Sequence, residues 1–215
     1  MIDNDIVFTN FGSKVIRRVT PSGTENVICS TAPLHPVDIC KSYDGGLLVT
    51  LCSCNVSEIT SGSYGEIHHI DKLGGIIRKY THTEDNRNKL FTYPNRVAQN
   101  INTDLCVVDI IDKEFRSRLV VLSLTSKIRF IYTGQPDMTE TFSIKDVCCD
   151  HQGRILLNCL LNHVVILLSE EGVFLQYLLT RQSPLFGPRS LGLHGDKLWV
   201  GCEKGVVRVY NYNQT

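Results

Sequence analysis

Four stretches of this chain repeat one pattern, and no other feature limits its fold as tightly. Pro36-Val37-Asp38-Ile39-Cys40, running on to Leu47-Leu48-Val49, is echoed by Pro94-Asn95-Arg96-Val97-Ala98 to Leu105-Cys106-Val107. Ile144-Lys145-Asp146-Val147-Cys148 to Ile155-Leu156-Leu157 and Pro188-Arg189-Ser190-Leu191-Gly192 to Leu198-Trp199-Val200 follow. The first three superpose without a gap, and the fourth is one residue shorter. Repeats of roughly 40–60 residues, each a set of short strands, read as blades of a β-propeller.

Each period divides into four strand-like runs. Turn sequences such as Asp44-Gly45-Gly46 and Gln152-Gly153-Arg154 separate the first run from the second, which is apolar and β-branched like a buried inner strand. Glu66 to Asp71, Leu119 to Leu122, Val164 to Leu168 and Val206 to Tyr210 form the third runs. Gly-containing turns lead into fourth runs at Ile76 to Tyr80 and Val173 to Leu178. Gly and Pro punctuate the chain too often for helices of ordinary length. The expectation is all-β.

The chain opens inside a repeat: Asp5 to Thr9 reads as a second strand, Val15 to Thr20 as a third and Thr24 to Ser30 as a fourth. It stops after a third strand, Val206 to Tyr212. Eighteen strands result, in repeats at about 1–31, 36–80, 94–132, 144–180 and 188–212 of a single domain, 1–215. A six-bladed ring of four-stranded blades needs about six more. The expectation is an N-terminally truncated six-bladed propeller, with a five-bladed ring as its rival.

Of the 215 residues, 42% are hydrophobic and 20% charged, which suits a compact β domain. There is no apolar leader after Met1-Ile2-Asp3-Asn4-Asp5 and no run near the roughly 18 apolar residues of a membrane helix. Nine cysteines, an odd number lying mostly within strand runs, read as reduced core thiols. A cytoplasmic location is expected, with no membrane partner. Cys52-Ser53-Cys54 with His68-His69 lacks the usual zinc spacing, so no metal and no cofactor are expected. Basic and acidic residues balance at 22 each, which does not favour RNA as the partner.

The chain resembles the C-terminal NHL-type propeller of tripartite-motif proteins, especially their invertebrate expansions; the wider fold class is NHL/WD40-like. The residues that carry this are Asn100 to Asp109, Arg129 to Gly134, Val147 to Leu156, Glu171 to Leu179, and Lys197 to Cys202 with Gly205 to Tyr210. Asn158 departs from the family's strand-ending Asp, and Ile144 from its repeat-opening Pro. In that family a RING, B-boxes and a coiled coil precede the propeller. The RING recruits a ubiquitin-conjugating enzyme, and the propeller selects a substrate protein or, in some members, an RNA stem-loop. None of those modules is in this sequence, and oligomerisation would depend on an upstream coiled coil. The resemblance therefore implies a non-catalytic recognition module that binds a protein, either part of such a ligase or detached from one.

Loop-tip groups beside aromatics are the candidate contacts: Phe11 with Lys14, Arg87 and Lys89 with Phe91, Phe115 with Arg116, Asn162 with His163, and Glu203 with Lys204. They sit on variable loops carried by a rigid ring, where a surface can diversify without disturbing the core. The Thr81 to Tyr93 and Leu51 to Gly65 segments exceed ordinary connections. Trp199, in register with Leu48, Cys106 and Leu156, is expected in the core. Asp38 and Asp146 share their place with Arg96 and Ser190, which suits backbone hydrogen bonding more than acid–base work. Two other functions stay open. One is an RNA-binding propeller. The other is a metal-dependent, lactonase-like hydrolase using Asp38, Asn100, Asp146 and Asn158 near the central channel.

Overall fold

The computed structural model describes residues 4–183 and 185–212. These form eighteen strands in five antiparallel sheets, taken in chain order. The first sheet holds β1 (Ile6–Asn10), β2 (Val15–Val19) and β3 (Glu25–Ser30). The second holds β4 (His35–Lys41), β5 (Leu47–Cys52), β6 (Gly65–Ile70) and β7 (Ile76–Tyr80). The third holds β8 (Tyr93–Gln99), β9 (Leu105–Ile110), β10 (Ser117–Leu122) and β11 (Ile128–Tyr132). The fourth holds β12 (Ile144–Cys149), β13 (Ile155–Cys159), β14 (Val164–Leu168) and β15 (Phe174–Leu179). The fifth holds β16 (Pro188–His194), β17 (Lys197–Cys202) and β18 (Val207–Asn211). Helix among the described residues is limited to two single 3-10 turns, at Val56–Glu58 and Glu203–Gly205. The chain is a five-bladed β-propeller.

The hairpin turns follow from their sequence. Asp44 Oδ1 accepts the Gly46 N–H at 3.0 Å, and Asp71 Oδ1 accepts those of Leu73 and Gly75 at 2.8 and 2.9 Å. Each carboxylate thus replaces a missing ladder bond at the tip of its hairpin.

Second strands are buried on both faces because a blade lies on each side. Leu47, Val49 and Leu51 of β5 pack with Ile16 of the first blade, whereas Leu48 faces Val97, Leu105 and Val107 of the third. The same alternation recurs in β9 and β13: Cys106 and Val108 meet Ile144 and Val147, and Leu156 meets Leu198 and Val200. Strand pleating sends successive side chains to opposite blades, which is why these runs are apolar throughout. Blades pack in sequence order, β1 on β4, β4 on β8, β8 on β12 and β12 on β16. No comparable packing joins the first sheet to the fifth among the described residues.

That open junction corrects the reading of Trp199 as core. Its counterparts Leu48, Cys106 and Leu156 are fully buried, each covered by the blade that follows. No sheet covers the outer face of β17 among the described residues, so Trp199 is 47% exposed, beside Val207 at 63% and Val209 at 46%. Ile6 and Val27 of the first sheet are also exposed.

Candidate functional site

The innermost strands share an irregularity at one repeat step. Pairing slips between Pro36 and Asp38 in β4, Pro94 and Arg96 in β8, Ile144 and Asp146 in β12, and Pro188 and Ser190 in β16. A bulge leaves amides unpaired and re-aims side chains. In two blades the second strand satisfies those amides. Asp38 N donates to Thr50 Oγ1 at 2.9 Å, and Lys145 N and Asp146 N donate to Asn158 Oδ1 at 3.1 and 2.6 Å.

The re-aimed carboxylates latch one blade to the next. Val97 N donates to Asp38 Oδ2 at 3.0 Å, and Leu191 N donates to Asp146 Oδ2 at 2.7 Å. Burial pushes both carboxyls above the ordinary aspartate value, against the pull of those N–H groups and of Arg96. Backbone bonding is therefore their role in the fold. Asn100 donates to Gly153 O at 2.8 Å, and the Asn158 carbonyl is held by the bulge amides. Among the described residues no three His, Cys, Asp or Glu side chains gather closely enough to hold a metal ion. All nine cysteines are free, and burial pushes the Cys40 thiol up to about 12.

The bulges open toward the end of the blades that carries the loops between second and third strands. In four of those loops one residue adopts the left-handed conformation: Lys14 (φ 54°), Phe115 (62°), His163 (54°) and Lys204 (63°). This conformation costs a non-glycine residue on the order of 1 kcal/mol and persists only where the surroundings hold it. Those surroundings are visible. Lys14 O accepts the Thr31 N–H at 2.8 Å. Asp112 accepts Arg116 N at 3.0 Å and Arg116 Nε at 2.8 Å. His163 Nδ1 accepts the Gly187 N–H at 2.8 Å while its ring stacks on Phe186 at 4.6 Å. Burial and nearby Arg181 pull the His163 pKa down, consistent with that acceptor role. Glu203 N donates to Gly187 O at 2.9 Å, and its carboxylate pairs with Arg189 at 2.7 Å.

The remaining candidates divide. Asn162 bridges to Glu140 and Thr141 of the preceding connection. Phe11 stacks on His35 at 4.4 Å, and Lys89 lies 4.5 Å from the Tyr64 ring centre. Phe91 is a correction: it is buried with Leu48, Tyr80 and Leu122. A long connection between blades must bury some apolar residues to close their junction, and Leu90 and Phe91 do so. Arg87 is exposed and reaches Asp85 of its own turn at 3.7 Å. Its neighbours Thr83, Glu84, Asp85 and Asn88 line a shallow hollow with Ser126, Lys127 and Ile128 of the β10–β11 hairpin.

Sequence reasoning missed Lys145, whose ammonium sits 4.4 Å from the Phe115 ring centre. The repeat alignment held the signal, since it places Lys145 in register with Arg189 at the bulge.

No protein-family model matches the chain, and no curated protein matches it by sequence. Solved structures do. A chain of the nidogen–laminin complex superposes with a TM-score of 0.68 at 13% identity, over 98% of this chain and 72% of that one. Virginiamycin B lyase from Staphylococcus aureus gives 0.63 at 14% identity, over 99% and 68%. The Cps50 (Swd1) β-propeller domain of Myceliophteria thermophila gives 0.65 at 13% identity, over 98% and 66%. At such identities the likeness establishes the propeller fold.

Proposed function

We propose that this propeller is a non-catalytic recognition module that binds a protein partner through its loop face, as the substrate-selecting part of a tripartite-motif-type ubiquitin ligase or a detached relative of one. One observation carries the reading. Aromatic and charged side chains stand at fixed left-handed turns of four blades, facing the same end of the molecule. A surface ordered in advance loses little entropy on docking. Phe115, 40% exposed, and Arg116 on one such turn are the central contact.

The test uses a partner captured from cells, repurified and titrated against the pure chain. Replacing Phe115 and Arg116 together by alanine is expected to weaken binding at least about tenfold, or 1.4 kcal/mol, with an unchanged melting temperature. Equal affinity for the double variant would remove Phe115 and Arg116 from the interface.

A further inference from the structure

Three consecutive blades each bring one cation to the bulge of the inner strand: Arg96 from the third, Lys145 from the fourth and Arg189 from the fifth. The inner strands that carry them pack side by side, so the three groups gather at the loop-face mouth of the channel. Their neutralisation is incomplete. Arg189 pairs with Glu203, and Arg96 reaches only to 3.9 Å from Asp146 while donating to the Asn95 carbonyl at 2.8 Å. Both Asp146 oxygens already accept backbone N–H groups, from Val147 at 2.9 Å and Leu191 at 2.7 Å. One Asp38 oxygen, Oδ2, likewise accepts the Val97 N–H. Lys145 has no ion-pair partner among the described residues and lies against the Phe115 ring. Burial, with Arg189 and Arg96 nearby, pulls its ammonium below the ordinary lysine value.

We propose that this mouth is an anion subsite that takes a carboxylate side chain, from an aspartate or glutamate of the protein recognised by the loop face. The assignment rests on the protein-recognition reading given above. A carboxylate between Lys145, Arg96 and Arg189 would replace the missing counter-charge with charge-assisted hydrogen bonds, the strong class. A long polyanion fits worse. The loops around the mouth carry both signs, Lys14, Lys113, Arg116 and Lys204 beside Asp112, Glu114, Glu140 and Glu203, with Asp112 already paired to Arg116 and Glu203 to Arg189, so no continuous positive track leads a nucleic-acid backbone away from the centre. A single carboxylate on an otherwise neutral segment meets only the cationic centre.

Site-resolved acetylation of lysines, followed by peptide mass spectrometry, tests this with glutarate as the probe and chloride of equal ionic strength as the reference. Glutarate should slow acetylation of Lys145 about threefold at twice its dissociation constant, and should leave Lys14 and Lys204 unaffected. The protection should vanish in Arg96→Gln/Arg189→Gln. Should that pair fail to fold, the exposed Arg189→Gln alone should reduce it. No protection of Lys145 in the unaltered chain, or full protection in a folded arginine variant, overturns the subsite. Protection by oligouridylate without protection by glutarate overturns the carboxylate assignment and points to nucleic acid. The assay contains no partner protein, so its outcome is separate from the Phe115/Arg116 titration.

Discussion

Removing the Tyr212 hydroxyl should loosen the junction between the fourth and fifth blades by a calculable amount. Asp150 follows β12, and its side chain is fully buried. Oδ1 accepts the N–H groups of Gln152 and Arg154, both at 2.9 Å. Oδ2 accepts Arg154 Nε at 2.7 Å and the Tyr212 hydroxyl at 2.8 Å. Tyr212 sits just beyond β18 and packs with Leu156, Val165, Leu198 and Val200. One carboxylate therefore ties the hairpin of one blade to the last strand of the next.

A hydrogen bond to an ionised group contributes about 1.5–3 kcal/mol, and three donors remain in Tyr212→Phe, so about 1.5 kcal/mol is expected. For a chain of this size that lowers the melting temperature by roughly 3–6 °C. The pH dependence has a fixed sign. Burial pushes the Asp150 pKa up, but the bonds from Arg154, Tyr212 and two backbone N–H groups outweigh it and hold the carboxyl below its ordinary value. A depressed folded-state pKa contributes stability above the unfolded value, and that contribution is lost as pH falls through the folded value. The gap between parent and Tyr212→Phe should be widest near neutral pH. It should shrink by about half at a second, acid pH well below the ordinary aspartate value of about 4, once the folded carboxyl has taken up a proton and the bond is neutral. Melts followed by circular dichroism at both pH values measure it. A gap under about one degree at neutral pH, or one that does not change with acid, would refute the argument.

Two further predictions follow from the repeats. Asn158 Nδ2 is buried without a partner, whereas Thr50 serves the equivalent bulge in the second blade with an oxygen alone. Asn158→Thr should therefore be neutral or stabilise by up to about 1 kcal/mol, whereas Asn158→Leu should cost about 2–4 kcal/mol in urea titrations by stranding two buried amides; a stable leucine variant sinks this reading. Trp199 is the chain's single tryptophan, so the native fluorescence should be red-shifted and readily quenched by iodide, and a blue, unquenched spectrum would show the outer face of β17 to be covered.

The repeats made the blades legible because period-two burial on both faces forces apolar second strands, and the turns between them carry their own Gly and Asp signals. Trp199 was misread for a physical reason. Repeat register specifies which way a side chain points, but not whether another sheet lies in that direction. Phe91 was misread because a connection looks like a surface loop until its neighbours are known, and the 81–92 segment turns two large apolar residues inward. The loop candidates Lys14, Phe115, His163 and Lys204 were visible as tips, but their shared left-handed turn was not, since none is a glycine that would announce it. Lys145 was passed over because it opens a strand instead of sitting on a loop.

The inner-strand bulge shows how such a propeller can change its surface without losing the seams between successive blades. At the junctions after the second and fourth blades, the re-aimed residue is an aspartate that accepts an N–H of the following inner strand. After the third blade it is Arg96, which cannot accept, so that latch is gone. The junction is held elsewhere. Ser117 on β10 accepts Ile144 N at 2.7 Å and donates its hydroxyl to Phe142 O at 3.1 Å, and at the other end of the blade Asn100 donates to Gly153 O. The same groups do not bridge the second and third blades, where Asp38 remains in place. A position that closes the seam in one blade is thereby released in another to carry positive charge to the channel mouth, next to the lysine with no ion-pair partner among the described residues. Charge at that mouth and cohesion between blades are thus set by different residues at the third junction, which lets the charge there vary while the core stays fixed.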